Sequence, residues 1–253
     1  MKISLPGQPG VDAGIGRLAA LALAVTLAGG GALMGGAASA AAALPGVAAT
    51  ETPSPELIKR WNDSAVVLYE ANKVEAAMIL FLKAAEAGDR GALYNAASIR
   101  IRGETTQPRL ARAVMMLEAS AEKGFAPAQY SYAYLLDRGE IVSQDLPKAQ
   151  QWYERAAEQG HADAAEATAT GYYLGRGSPR DYVKAARWYE VAADAGDVGA
   201  QYVLASMYET GLGVPVNLSR ALQWYIEAAR QGDVAAQFKS REISRRISTS
   251  ASR

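Results

Sequence analysis

Of the side chains that carry chemistry in enzymes, this 253-residue chain holds one histidine, His161, and no cysteine. A Ser-His-Asp set could be built only around that single imidazole, and a general base needs a partner placed against it. His161 directly follows Gly160, where a lone histidine reads as a solvated turn residue. The absence of cysteine excludes a disulfide framework, a zinc-thiolate site and a lipid-bearing cysteine. Gly175-Arg-Gly177 and Gly211-Leu-Gly213 are the glycine pairs to weigh as phosphate loops, but they lack the lysine pattern that such loops require. Carboxylate pairs such as Asp194 and Asp197 are common on helix ends. The chain reads as no enzyme, with no cofactor and no metal. Its 26 basic residues equal its 26 acidic ones, so nucleic acid is not an expected partner. Recognition remains, and tyrosine suits it, joining a large apolar area to a hydroxyl on only two torsions.

What must position such residues is a register. Gly88, Gly124, Gly160, Gly196 and Gly232 stand 36 residues apart with no insertion or deletion. Eleven residues earlier come Ala77, Ala113, Ala149, Ala185 and Ala221, and three earlier Ala85, Ala121, Ala157, Ala193 and Ala229. Four residues later come Ala92, Ala128, Ala164, Ala200 and Ala236, and nine later Ala97, Ala133, Ala169 and Ala205. A large pair fills the middle of each unit: Leu80-Phe81, Met116-Leu117, Trp152-Tyr153, Trp188-Tyr189 and Trp224-Tyr225. A fixed period of this length marks a helical solenoid.

One unit reads as two antiparallel helices. Ala185, Trp188, Tyr189, Ala192 and Ala193 recur at steps of three and four, so they share a helical face that Gly196 then ends. The next helix is expected from about Val198 to Thr210, with Ala200, Leu204, Ala205 and Tyr208 inward. Gly211 to Pro215 breaks it, and Asn217 or Ser219 can cap its successor. Because Trp152, Trp188 and Trp224 recur in register, all three are expected in the core. Abundant alanine with only three phenylalanines suits close-packed helices better than a sheet sandwich. The predicted fold is all-α: a right-handed α-α superhelical solenoid of about five 36-residue helix-turn-helix repeats.

Gly211-Leu-Gly213-Val-Pro215, followed by Arg220-Ala-Leu-Gln-Trp-Tyr225 and Ala228-Ala-Arg-Gln-Gly232, resembles the Sel1-like repeat, a relative of the tetratricopeptide repeat. Tyr172-Tyr-Leu-Gly-Arg-Gly177 with Asp181-Tyr-Val-Lys-Ala-Ala-Arg-Trp-Tyr189 is similar to it as well. The likeness spans roughly residues 56 to 240. It departs at Met115-Met-Leu117, which lacks the Trp-Tyr pair, at Thr105, which replaces the second loop glycine, and in the first unit, which reads more like a tetratricopeptide repeat.

The resemblance implies a non-enzymatic protein-interaction module that grips a partner in a concave groove lined by the first helix of each repeat. Offsets three, six, ten and thirteen after the glycine place Tyr94 and Ser98, Tyr130, Tyr134 and Asp137, Glu166, Thr170 and Tyr173, then Tyr202, Ser206 and Glu209 along that groove. Tyr130 and Tyr202 have the alternative of packing between neighbouring units. Tyr134 and Tyr173 have no aromatic equivalent in other repeats, which favours partner choice there. The implied role is an exported adaptor, regulator or scaffold binding a peptide segment or a sensor or envelope domain. The alternative is a structural subunit of a cell-envelope or polysaccharide-associated machine whose groove meets glycan.

Lys2 and Arg17 precede an uncharged stretch from Leu18 to Thr50, and Ala38-Ser39-Ala40 has the small-x-small pattern of a signal-peptidase site. Residues 1–40 read as a secretory signal. An uncleaved anchor is the alternative, the only route to a membrane, and both readings export the repeats, with a bacterial periplasm the simplest compartment. Residues 41–54 read as a linker, 55–243 as the solenoid and 244–253 as a basic disordered tail. Ser54 before Pro55 is the expected start of the first helix.

Overall fold

The computed structural model describes residues 52–106 and 109–251. The secretory-signal segment, its anchor alternative and most of the linker lie outside these residues. The chain divides into two compact units, Met1–Lys123 and Gly124–Arg253. Among the described residues all regular structure is helical, and no helix is long and apolar enough to cross a membrane.

The first unit holds α1 (Pro55–Glu70), α2 (Val74–Glu86), α3 (Arg90–Ile101) and α4 (Leu110–Glu122). The second holds α5 (Ala126–Arg138), α6 (Leu146–Glu158), α7 (Ala162–Leu174), α8 (Tyr182–Asp194), α9 (Val198–Thr210), α10 (Leu218–Arg230) and α11 (Val234–Ala251). Within each unit every helix packs on the next in the chain, which is the arrangement of a helical solenoid. From α5 to α10 each helix has 13 residues; hairpin loops of seven residues and returns of three complete the period.

The period is enforced at helix ends. Asp89, Asp197 and Asp233 each accept the amide three residues on, at 2.6, 2.7 and 2.7 Å. Asp145, Asp181 and Asn217 do the same for the return helices, each at 3.0 Å. Such a cap satisfies one of the orphan amides that open a helix. Ser54 caps α1, accepting from Leu57 at 3.2 Å, with Pro55 at the first helical position. Of the two candidates Asn217 and Ser219, it is Asn217 that caps α10.

Three alanine columns are buried throughout: Ala77, Ala113, Ala149, Ala185 and Ala221; Ala92, Ala128, Ala164, Ala200 and Ala236; Ala97, Ala133, Ala169 and Ala205. In the large pair, the second member is the core residue. Phe81, Leu117, Tyr153, Tyr189 and Tyr225 are buried in every unit. The expected burial of all three tryptophans is corrected: Trp152 is buried, but Trp188 and Trp224 are only half-buried. Neighbouring positions on a helix differ by about 100°, so the first member of the pair points away from the second, and its cover varies: full at Met116 and Trp152, partial at Trp188 and Trp224.

The tail expectation is also corrected, because α11 continues through residues 244–251 instead of fraying after Ile243. Ile243 is fully buried, and Arg246 beyond it reaches the Glu209 carboxylate at 2.8 Å. Lys239 joins the same carboxylate at 3.2 Å and the Tyr225 hydroxyl donates to it at 2.9 Å. Burial alone pushes the Glu209 carboxyl up, but hydrogen bonds from Tyr225, Lys239 and Arg246 outweigh it and hold the group below its ordinary value. A lowered acid pKa stabilises the fold above the unfolded value, roughly 4.3, and that contribution is lost as pH falls through the lower folded value. Glu209→Gln is therefore expected to cut amide-exchange protection along α11 by about tenfold or more near neutral pH, the scale of a hydrogen bond to a charged group. The deficit relative to wild type should shrink in acid; equal protection in the two proteins at neutral pH would refute the role of this carboxylate.

Candidate partner-binding cavity

In the second unit, α5, α6 and α7 enclose a half-open cavity of about 220 Å³. Tyr130, Tyr134 and Asp137 reach it from α5, and Glu166 and Thr170 from α7. Five of the residues expected in the groove thus meet at one place. Leu146, Ala149, Gln150 and Tyr153 of α6 form the floor, and Arg176, from the loop after α7, closes one side.

The walls are held by their own contacts. Tyr130 stacks on His161 with centroids 4.6 Å apart and lies tilted against Tyr153 at 5.6 Å. Asp137 pairs with Arg176 at 3.0 Å, and its main-chain carbonyl accepts the Gln144 side-chain amide at 2.8 Å. Thr170 donates to Glu166 at 2.9 Å, which leaves Tyr189 as the donor in its 2.9 Å contact with the same hydroxyl. Burial raises the Glu166 carboxyl above its ordinary value, Asp197 and Asp163 add to the rise, and the Thr170 bond opposes it. Burial likewise pushes the Tyr153 hydroxyl well up.

The floor needs one small residue. Gln150 is buried, donates to the Thr168 carbonyl at 3.2 Å, and lies where any β-carbon on Gly171 would have to sit. These residues were missed because they fall on core positions. Their signal is that they break their columns together. Gln150 stands where other units have Met78, Val114, Ala186 and Leu222, and Gly171 where they have Ile99, Leu135 and Met207.

Other groove residues are spent on the fold. Tyr94 is 1% exposed in the first unit, so its assignment to a partner-binding groove is corrected; Leu117, standing where Tyr153 and Tyr225 do, is equally closed off. Tyr173 meets Tyr182 and Tyr189 edge-on at 5.5 and 6.1 Å. Tyr202 meets Tyr225 edge-on at 5.3 Å within the α9–α10 hairpin, and Glu209 is taken by α11. His161 is not simply a solvated turn residue. It caps α7, its Nδ1 accepting the Ala164 amide at 3.3 Å, and burial lowers its pKa, which favours the neutral ring. Among the described residues no group of three or more metal-ligating side chains gathers.

Stacked helical hairpins in a fixed period define a helical repeat protein, and the comparisons resolve which kind. The Sel1 repeat family model matches residues 70–89, 126–161, 162–197 and 198–233, about half of the chain. The chain belongs to the Sel1 repeat family. A solved Sel1 repeat protein from Oxalobacter formigenes is 30% identical with a TM-score of 0.67, over 71% of this chain and 74% of that one. A protective antigen present in uropathogenic Escherichia coli strains, displaying an SLR fold, is 27% identical with a TM-score of 0.67. That match covers 73% of this chain but only 40% of the antigen. No curated protein matches the chain. Sel1 repeat proteins are protein-interaction modules, generally non-catalytic scaffolds.

Proposed function

We propose that this protein is an exported adaptor or scaffold that holds a segment of a partner protein on the face carrying Tyr130, Tyr134, Asp137, Glu166 and Thr170. One observation carries the reading. Four residues that depart from the repeat pattern, Tyr134, Gln150, Gly171 and Arg176, surround one cavity, while other departures such as Tyr173 and Thr105 lie away from it. Packing needs repetition, and a cavity at the point where repetition lapses is where a partner can be distinguished from other proteins. Export follows from the charged start, uncharged stretch and Ala38-Ser39-Ala40 of the leader, with the periplasm the compartment that fits a cysteine-free solenoid.

The test is crosslinking and capture from envelope extracts with wild type and with Tyr134→Ala and Tyr173→Ala. Loss of at least one captured protein with Tyr134→Ala, in a variant whose circular dichroism and melting are unchanged, supports the reading. Tyr173→Ala should act less, since its ring is engaged with Tyr182 and Tyr189. An unchanged set of captured proteins together with lost binding to envelope glycan would replace the adaptor by the glycan-contacting subunit.

A further inference from the structure

The cavity has an unbalanced charge, and its walls indicate what would balance it. Of its two carboxylates, Asp137 is already matched by Arg176 at 3.0 Å. Glu166 is half-buried and accepts from Thr170, yet among the described residues no basic side chain pairs with it. The charges acting on it from neighbouring residues, Asp163 and Asp197, are of its own sign. A carboxylate removed from water without a counter-charge is costly, and a cation brought to it removes the cost. Beside the polar Gln150 and Thr170, the rest of the lining is aromatic and apolar, with Tyr130, Tyr134 and Tyr153 next to Leu146, Ala149 and Ala167. Rings beside a carboxylate favour a flat, weakly hydrated cation that can stack while it donates. The volume, about 220 Å³, is below the range of drug-sized ligand pockets and suits one long side chain.

Resting on the adaptor reading, we infer that the cavity receives an arginine side chain of the partner protein, its guanidinium stacked on Tyr134 and hydrogen-bonded to Glu166. Arginine fits better than lysine because its donors form a planar fork that matches a carboxylate, whereas an ammonium is a compact, strongly hydrated charge. An anionic side chain is disfavoured, since the one cation of the lining is held by Asp137. A saccharide would use the rings but has no charge for Glu166.

The experiment uses the full chain and N-acetyl-arginine amide as probe, with N-acetyl-lysine amide and the neutral isostere N-acetyl-citrulline amide beside it, followed by amide NMR shifts. The arginine probe is expected to move the resonances of Tyr134, Ala167 and Thr170, and to bind about tenfold more tightly than citrulline, the scale of one charge-assisted hydrogen bond. Glu166→Gln keeps an acceptor for Thr170 and should bring the arginine probe down to the citrulline level. Equal binding of arginine and citrulline, an unchanged affinity in Glu166→Gln, or shifts caused by a chito-oligosaccharide and not by arginine would each overturn the inference. Capture separates the two proposals. If Tyr134→Ala loses a partner that Glu166→Gln retains, the adaptor reading stands and the arginine site falls. If the probe behaves as expected while neither variant alters capture, the guanidinium site stands and the adaptor reading falls.

Discussion

Gly213→Ala is expected to destabilise the second unit by about 3 kcal/mol or more, while Gly196→Ala costs about 1 kcal/mol. Both glycines have positive φ, +74° and +93°, and a side chain in that region carries a backbone penalty of about 1–2 kcal/mol. They differ in what a β-carbon meets. At Gly196 nothing lies within 4 Å. At Gly213 the β-carbon would collide with the carbonyl of Tyr182, the first residue of α8. That neighbour is backbone at a helix start, so relief requires moving α8 or the α9–α10 loop away from its packing. Gly177 repeats the arrangement one period earlier, against the carbonyl of Leu146 at the start of α6. The second glycine of the loop is thus a contact between successive hairpins, and the first residue of the earlier return helix is its seat. Urea unfolding of the two variants measures the difference. Equal losses would mean that backbone conformation alone, and not the inter-hairpin contact, selects glycine at residue 213.

This distinction marks how far the sequence could be read. The helix bounds of α9, the caps at Ser54 and Asn217 and the positive-φ turns all depend on residues within a few positions of one another, so local physics makes them legible, and their recurrence every 36 residues makes the period legible too. The glycine pair was visible as a pattern, but its reason lies in a carbonyl about thirty residues away. The same holds for the cavity. Repeat offsets placed Tyr130, Tyr134, Asp137, Glu166 and Thr170 on a common face, whereas the Asp137–Arg176 pair spans 39 positions and depends on how one hairpin seats on the next. Offsets also treat every unit alike, so they put Tyr94 beside Tyr130 although the first of these is core. Composition misled at the chain's end, where serine and arginine suggest a solvated tail but Ile243 and the Glu209 pairs extend the helix.

The aromatic pairs supply the other large effect. Tyr225→Ala is expected to lower stability by about 3–5 kcal/mol, the range for removing a large aromatic side chain from a core. Tyr225 is fully buried, receives the Tyr202 ring edge-on at 5.3 Å, and donates to Glu209 at 2.9 Å. Its loss therefore opens a void at the α9–α10 hairpin and takes a donor from the carboxylate that anchors α11. Tyr225→Phe separates the two parts, keeping the ring and losing only the hydroxyl, at about 1–3 kcal/mol for a hydrogen bond to a charged acceptor. Combining Tyr225→Phe with Glu209→Gln should cost less than the sum of the single changes, because Glu209→Gln already weakens, by removing the acceptor's charge, the bond that Tyr225→Phe deletes. Trp224→Ala is the critical comparison. Tryptophan is the larger side chain and repeats in register just as faithfully, yet it is half-buried where Tyr225 is closed off. Thermal or urea unfolding should rank Tyr225→Ala as clearly the more damaging. The opposite order would mean that the tryptophan column, and not the tyrosine beside it, forms the spine of these hairpins.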